Sequence, residues 1–453
     1  MFGYYLRLAL SSFRRNPGLT VLMVLAIALG ISVCVISLTT FHAISGNPIW
    51  WKSDRLYTVT MDNWSPEEAH DIKHPDLPPP QLTYRDATYL MQSDIPTHKV
   101  VMYKSGGVLS GGRLPNGAQP APLQVLTRVT TGDFFPMFDV PFRYGTGWKA
   151  QADSAPEPAI VLSAKTNEKV FGGINSVGRT IRWNDREFRV VGVLDHWQPQ
   201  PKFYDLNNGA FDTPEDVFIP WRWGETLELD SWGNTNCWKP ENIKNFKDFM
   251  NSDCVWVQMW VELPNLIQRT RMQSLLDAHW DREHKAGRFP RKRDNRLTDV
   301  DQWLKDQRVV QSDNRVLVGL AFAFLAVCLI NTVGLLLAKF LNGASIAGVR
   351  RALGASRRAL FTQHMVEVGV VATAGALLGL ALGALGLAGI RALYSLTQAF
   401  NDGGDAGFQS LAHIDTTSVI TAVLLAIVAT FAAGLYPAWR IGRIQPAVYL
   451  KNQ

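Results

Sequence analysis

Four long apolar blocks constrain this chain more than any other feature of its 453 residues. They lie at residues 19–41, 313–338, 362–390 and 416–438, and crossing the hydrocarbon core of a bilayer takes about 20 helical residues. The segment between the first two blocks, residues 42–312, has the composition of a soluble domain. This pattern predicts a membrane protein with four transmembrane α-helices and one large domain outside the bilayer, between spans 1 and 2.

Basic residues mark one side of the membrane. They cluster in the three segments that a four-span protein keeps on a common side, residues 1–18, 339–361 and 439–453. Because Lys and Arg are enriched in cytoplasmic loops, both termini and the 339–361 loop are predicted to be cytoplasmic. Residues 42–312 and 391–415 are then extracytoplasmic. The net charge of +6 comes from clusters beside apolar blocks, which indicates contact with membrane lipid and gives no indication of a nucleic-acid partner.

Residues 1–18 are predicted to form an amphipathic helix on the cytoplasmic membrane surface. Aromatic and aliphatic residues recur at helical spacing from Tyr4 to Phe13, and arginines lie between and after them. Asn16-Pro17-Gly18 ends this helix before span 1 begins. The alternative is a simple extension of span 1. A cleavable signal peptide is not expected, because the first apolar block is longer than an h-region.

The extracytoplasmic segment has the patterns of an α/β domain, and its length suggests two subdomains. Residues 160–172 resemble a strand followed by a helix, and residues 180–194 resemble a hairpin that turns at Asn184-Asp185. Residues 266–285 have the spacing of an amphipathic helix. Residues 301–315 are expected to continue span 2 as a rigid helical stalk.

Tryptophan is concentrated in the same segment. Fourteen of the 15 tryptophans lie between Trp50 and Trp303. The favoured interpretation is a heavily aromatic core. The alternative is a surface for an aromatic cargo or a partner protein, since tryptophan supplies a large contact area at low entropic cost.

The cysteines leave one question open. Cys237 and Cys254 lie in the extracytoplasmic segment. In an oxidising compartment they could form a disulfide, and the alternative is two unpaired core thiols. Cys34 and Cys328 lie inside apolar blocks.

The common catalytic motifs are missing. The chain has no G-x-x-x-x-G-K-[ST] for binding ATP phosphates, and no G-x-S-x-G, H-E-x-x-H or C-x-x-C. His70 and His74 have the spacing of a metal pair, but without a third ligand nearby a solvated surface is favoured. The spans carry no series of charged residues of the kind an ion relay needs, and Glu367 is expected at the membrane interface. We therefore expect no catalytic residue and no metal site.

Residues 339–367, KFLNGASIAGVRRALGASRRALFTQHMVE, carry the most specific pattern. They resemble the cytoplasmic loop of the MacB/FtsX-type permeases of ABC transporters, in which a coupling helix is followed by a basic turn similar to R-[RK]-A-[LI]-G-A. The C-terminal residues 434–451, GLYPAWRIGRIQPAVYLK, resemble the end of that family. The segment from Gly132 to Pro141 and residues 160–194 resemble its extracytoplasmic motifs, so the resemblance covers the whole chain in order.

The resemblance implies a set of coupling-helix residues that dock on an ATPase. In this sequence they are Ser345, Ile346, Val349, Arg350, Arg351, Leu353 and Gly354. Ile346, Val349 and Leu353 have the spacing of one apolar helix face. Two departures stand out: Ala347 lies where the family often has an acid, and Trp439 replaces a basic or small residue. Residues 197–260 have no obvious counterpart in the family.

The resemblance also implies a mechanotransmission permease of the type VII class in the bacterial inner membrane. An ABC ATPase subunit would bind the ATP and Mg²⁺, and this chain would bind no cofactor directly. A second permease, identical or paralogous, would complete a dimer. The expected function is export of a peptide, antibiotic or toxin from the periplasm, with a periplasmic adaptor and an outer-membrane channel. The alternatives are lipoprotein extraction from the inner membrane and transmembrane regulation of cell-wall enzymes.

Overall fold

The computed structural model describes residues 2–309, 312–342, 348–351 and 353–400, and from there residues 420, 421, 424, 427, 428, 430, 431 and 434–439. The chain divides into two compact units, which we name by their content. The helical unit comprises residues 1–45 and 310–453, and the α/β unit comprises residues 46–309.

Long helices precede and follow, along the chain, a segment in which strands and shorter helices alternate. The described helices are α1 (Phe2–Arg15), α2 (Pro17–Ser45), α3 (Tyr84–Leu90), α4 (Phe134–Met137), α5 (Gln151–Ser154), α6 (Ala164–Phe171), α7 (Arg222–Thr226), α8 (Phe246–Asn251), α9 (Leu266–Lys285), α10 (Val300–Asp306), α11 (Ser312–Asn342) and α12 (Arg357–Phe400). The strands are β1 (Leu56–Thr60), β2 (Lys99–Ser110), β3 (Leu123–Thr130), β4 (Phe142–Gly145), β5 (Ala159–Leu162), β6 (Thr180–Trp183), β7 (Arg186–Leu194), β8 (Val217–Pro220), β9 (Gln258–Glu262) and β10 (Arg296–Asp299). Trp50–Lys52 and Phe203–Asn208 form 3₁₀ segments.

Three helices of the helical unit are long and apolar enough to cross a membrane. Among the described residues these stretches are Pro17–His42, Val316–Asn342 and Arg357–Ile390. The predicted fourth span, residues 416–438, lies only partly within the described residues and stays a prediction. The predicted break between α1 and the first span is confirmed, because α1 ends at Arg15 and α2 begins at Pro17.

Helix α2 packs against both α11 and α12. Small residues allow the close approach: a Cβ added at Gly379 would lie 2.9 Å from the Cβ of Ile31, and one at Gly30 would lie 2.7 Å from Cδ1 of Leu325. Close contact through small residues is a common way for membrane helices to associate.

The strands of the α/β unit form one ten-stranded sheet in the order β10-β1-β9-β2-β3-β8-β5-β7-β4. Strand β6 pairs with both β2 and β7, which closes a ring of hydrogen-bonded strands. The predicted division of this segment into two subdomains stays a prediction.

Both faces of the sheet are buried. Along β2, Val101 and Tyr103 pack into one apolar cluster, while Val100 and Met102 pack into another. Successive strand side chains point to opposite faces, so a strand covered on both sides needs a continuous apolar run. The tryptophans mostly serve this packing: Trp183, Trp256 and Trp260 are among the largest fully buried side chains.

Two local predictions in this unit are confirmed in detail. The hairpin β6–β7 turns at Asn184 and Asp185, whose φ values of 45° and 61° are typical of a type I′ turn. The strand–helix pair β5–α6 begins its helix with a hydrogen bond from the Thr166 N–H to the side chain of Ser163 and ends it at left-handed Gly172. The amphipathic helix predicted at residues 266–285 is α9.

The predicted continuous stalk at residues 301–315 is wrong. Helix α10 ends at Asp306, and Arg308 has a φ of 49°. A residue in this left-handed region cannot continue an α-helix. The next described helix, α11, begins at Ser312, so residues 301–315 are not one continuous helix.

Candidate functional site

The described part of the 339–361 loop contains a helix-stop motif. Residues 348–351 are helical, and Gly354 has a φ of 98°. The Gly354 N–H donates to the Arg351 carbonyl at 3.1 Å, and the Ala355 N–H donates to the Arg350 carbonyl at 3.0 Å. These two bonds form a Schellman motif, in which glycine adopts the left-handed conformation at little cost. The basic turn therefore has a structural reason for its glycine.

The Ser356 side chain starts the following helix. It accepts a hydrogen bond from the Ala359 N–H at 3.1 Å, which is the geometry of an N-cap for α12. The stop at Gly354 and the start at Ser356 together reverse the chain within a few residues. A short helix is thus held next to the beginning of α12.

Two apolar side chains of this short helix are exposed. Val349 is 46% exposed and Leu353 is 83% exposed. We call these two side chains the docking pair. The other predicted docking residues, Ser345 and Ile346, lie outside the described residues. Exposed aliphatic side chains on a helix are typical of helix-in-groove recognition.

One arginine of the loop, Arg350, is engaged within the chain. Nη1 of Arg350 donates to Oε1 of Gln363 on α12 at 2.8 Å. Arg350 and Arg351 are both half-buried. The contact with Gln363 fixes the short helix against α12. A guanidinium has five N–H donors, so this one bond leaves Arg350 further capacity for an acidic partner.

Glu367 is buried within the helical unit. Its expected position at the membrane interface stays a prediction. Its side chain is 3% exposed and forms an ion pair with Nζ of Lys339 at 2.5 Å. The Ser12 hydroxyl donates to the same carboxylate at 2.7 Å. Nζ of Lys339 also donates to the Thr20 hydroxyl at 3.3 Å. Four helices, α1, α2, α11 and α12, therefore meet at one ion pair.

The sequence carried a signal for this ion pair. Glu367 is a single acid in the long apolar block of α12, and Lys339 follows the apolar block of α11. Acids and bases in membrane helices tend to pair with one another and to mark function. The pairing itself required knowledge of how the helices pack.

The α/β unit contains a disulfide between Cys237 and Cys254, whose Cα atoms lie 4.3 Å apart. Nζ of Lys239 binds Asp253 at 2.6 Å, directly beside it. The same carboxyl group accepts a bond from Arg288 at 3.0 Å. Helix α8 lies inside the loop that the disulfide closes and is thereby tied to the sheet.

The sequence did not reveal a buried cluster of charges around Arg128 of β3. The guanidinium contacts the carboxylates of Asp205 and Glu215, and Nζ of Lys202 lies 2.7 Å from Glu215. The Tyr204 hydroxyl donates to Glu215 at 2.8 Å. Burial disfavours ionisation of Glu215, but Arg128 and Lys202 outweigh it and hold its pKa well below the ordinary value. The cluster ties part of the tryptophan-rich stretch to the sheet.

Another buried carboxyl group in this unit is that of Asp86 of α3. Nε2 of His279 lies 2.8 Å from its carboxylate, and Nη1 of Arg288 lies 3.0 Å from it. Burial opposes its ionisation, but the hydrogen bond from His279 and the charge of Arg288 lower the pKa of Asp86 to about 2. These contacts join α3 to α9 and are structural in kind.

The α/β unit also has an open cavity of about 670 Å³ between α3, α7 and α8. Its walls include Tyr84, Tyr89 and Phe246, with Arg85 and Lys247 at its rim. Tyr84 stacks on Trp221 and Trp256, so the aromatic floor is rigid. This volume falls within the range of small-molecule sites.

The predicted histidine pair has no metal-site geometry among the described residues. No group of three or more His, Cys, Asp or Glu side chains converges within that part of the chain. His70 packs against Trp64 with ring centres 4.7 Å apart.

Comparison with known proteins places these features in a family. The model of the MacB-like periplasmic core domain matches residues 20–268, and that of the FtsX-like permease C-terminal region matches residues 318–446. The first of these alone covers more than half of the chain. Its outer bounds enclose residues 197–260, and their lack of a family counterpart stays a prediction.

Individual relatives are distant. The pyoverdine export ATP-binding/permease protein PvdT of Pseudomonas aeruginosa is 21% identical over 71% of this chain and 41% of its own length. The macrolide export ATP-binding/permease protein MacB of Nitrobacter winogradskyi is 24% identical over 70% of this chain and 42% of its own. The chain thus spans less than half the length of these relatives.

A solved structure gives a further similarity. The periplasmic region of MacB from Actinobacillus actinomycetemcomitans aligns with 58% of this chain and 96% of its own, at 13% identity and a TM-score of 0.36. With both family models matched in the expected order, and with apolar helices suited to a membrane, this chain belongs to the MacB/FtsX-type family of ABC transporter permeases.

Proposed function

We propose that this chain couples ATP hydrolysis by an ABC ATPase to movement of its α/β unit on the far side of the bacterial inner membrane. The ATPase, with its ATP and Mg²⁺, is supplied from outside these 453 residues, which contain no phosphate-binding loop. In this proposal the chain is not an enzyme. Four spans place both termini and the 339–361 loop in the cytoplasm and the α/β unit in the periplasm.

The docking pair carries the proposal. Val349 and Leu353 are exposed apolar side chains on a helix whose end is fixed by the Gly354 cap. Burial in a groove of a partner would remove their apolar area from water, and this area contributes about 25 cal/mol per Å². The arginines beside the pair are suited to carboxylates at the rim of such a groove.

The direction of transport is proposed as export. The relatives named above are an exporter of pyoverdine and an exporter of macrolides. A periplasmic adaptor, an outer-membrane channel and a second permease would complete the assembly. The cargo class we favour is a peptide, antibiotic or toxin that the α/β unit takes up from the periplasm.

Replacing both docking residues by acids tests the proposal. The variant Val349→Asp/Leu353→Asp places two charges where the ATPase groove is apolar. We expect the amount of ABC ATPase that co-purifies with the full chain to fall at least about tenfold, which corresponds to about 1.4 kcal/mol. The measurement is quantitative mass spectrometry of the purified complex.

The chain offers a matched control. Leu266 and Ile267 are a similarly exposed apolar pair, at 74% and 72%, on α9 of the α/β unit. The variant Leu266→Asp/Ile267→Asp should keep wild-type amounts of ATPase. Equal ATPase recovery from both double variants would overturn the proposed docking site.

A further inference from the structure

The ion pair between Lys339 and Glu367 lies at both ends of the cytoplasmic loop. Lys339 precedes the end of α11 at Asn342, and Glu367 lies in the early turns of α12. Their side chains are 2% and 3% exposed, with Nζ and Oε1 2.5 Å apart. The pair therefore joins the helix that enters the loop to the helix that leaves it.

Two contacts of α12 lie between the ion pair and the docking pair. Gln363 lies one helical turn before Glu367 on α12, on the same face. It accepts the hydrogen bond from Arg350, which is the neighbour of Val349. On the α11 side, the ring of Phe340 packs on His364 with centres 4.2 Å apart. The short helix is thus connected to the buried pair through α12.

The same carboxylate also holds the N-terminal helix. Ser12 of α1 donates to Glu367, and Thr20 of α2 accepts from Lys339. An unpaired charge in an apolar interior is strongly disfavoured, so each partner has to move with the other. A displacement of either loop end therefore carries α1 and the start of α2 with it.

We propose that Lys339 and Glu367 are positioning residues that hold the cytoplasmic loop, α1 and the first span as one mechanical body. The docking pair then keeps a fixed position relative to the helices that carry its motion. The inference that this transmits ATPase movement rests on the proposed function. The claim that Lys339 and Glu367 hold the loop in place does not depend on the proposed function.

The test separates positioning from stability. Removing one charge leaves the other buried and unpaired, whereas removing both is far better tolerated. The single variants Lys339→Met and Glu367→Gln should lower the melting temperature of the full chain in lipid nanodiscs. The double variant Lys339→Met/Glu367→Gln should recover most of that loss. Its backbone amides in residues 343–361 and in α1 should still exchange with deuterium at least tenfold faster than in the wild type.

A matched control lies on α11. Thr332 is fully buried, but its hydroxyl donates to the Cys328 carbonyl of its own helix at 2.8 Å. Thr332→Val should therefore leave loop exchange unchanged. If the double variant recovers both its melting temperature and wild-type loop protection, the pair only stabilises the fold and the inference is wrong.

A second measurement separates this inference from the proposed function. Under the proposed function the chain changes the rate of ATP hydrolysis by its partner, and in the double variant the size of that change should fall at least tenfold. The amount of ATPase that co-purifies should stay the same. If the wild-type chain recovers no ATPase but the exchange effect is present, the proposed function fails and the positioning role stands. If wild-type coupling persists in the double variant, the pair does not transmit ATPase movement and that part of the inference is wrong.

Discussion

Charged side chains are buried in both units of the chain, but their surroundings differ. In the α/β unit, Arg128 is surrounded by two carboxylates, a lysine and a tyrosine that come from a neighbouring segment. The Arg128 guanidinium bonds both carboxylates and lies over the tyrosine ring, while its Nη1 has no hydrogen-bond partner among the described residues. In the helical unit, Lys339 and Glu367 form one ion pair supported by two hydroxyl groups. The first arrangement is a dense network that fixes one segment to the sheet, and the second is a single ion pair that joins helices at the ends of a loop.

Under the proposed function, the difference follows from the role of each region. A domain that acts as a rigid body gains from a dense network, because satisfied buried polar groups fix one arrangement. Helices that transmit motion need a contact that holds them together without filling the interior with polar groups. The two clusters should therefore respond differently to loss of a charge. The variants of Lys339 and Glu367 described above test the helical unit, and the following changes test the α/β unit, in order of decreasing effect.

The largest effect is expected for Arg128→Met. It leaves the carboxylates of Asp205 and Glu215 buried beside a single lysine, and breaking a buried ion pair costs about 3–5 kcal/mol. The free energy of unfolding of the full chain can be measured in detergent with urea and tryptophan fluorescence, since fourteen of the 15 tryptophans lie between Trp50 and Trp303. A loss below about 1 kcal/mol would show that the Arg128 cluster contributes little to holding its segment on the sheet.

An intermediate, pH-dependent effect is expected for Asp86. Its folded pKa of about 2 lies below the ordinary value, so its ionised form stabilises the folded state above the unfolded pKa. This contribution, about 2 kcal/mol, is lost as the pH falls from about 4 to 2. Asp86→Asn should flatten the pH dependence of unfolding in that window, and an unchanged slope would contradict the assignment.

The smallest effect is expected for an exposed ion pair on the same sheet. Arg182 and Glu187 lie 3.7 Å apart with side chains 59% and 66% exposed. Water and salt screen such a pair, so Arg182→Met should change the free energy of unfolding by less than about 1 kcal/mol. It is the matched control for Arg128→Met, because both remove an arginine from a strand of one sheet.

Local structure was largely predictable from the sequence. The hairpin at Asn184-Asp185 and the helix break before Pro17 depend on residues with strong backbone preferences. The amphipathic helix α9 depends on a spacing that only a helix satisfies. The basic turn with Gly354 was found by resemblance, and its Schellman geometry gives the physical reason for that sequence.

Long-range pairings were not predictable. Lys339 meets Glu367 because α11 and α12 both pack against α2, and no local pattern encodes that. Arg128 meets Asp205 because a segment without regular periodicity folds back on β3. The stalk expected at residues 301–315 failed because Arg308 adopts a left-handed conformation without a glycine or proline to signal it.

Site-specific photo-crosslinking of the docking pair tests the central claim most directly. A photoreactive phenylalanine analogue would replace Leu353 in the full chain, and the same analogue would replace Leu266 as a control in the α/β unit. After irradiation in intact cells, the account predicts a covalent adduct between position 353 and an ABC ATPase subunit, with none from position 266. If position 353 forms no adduct with an ABC ATPase in cells that contain the assembled transporter, the account is contradicted.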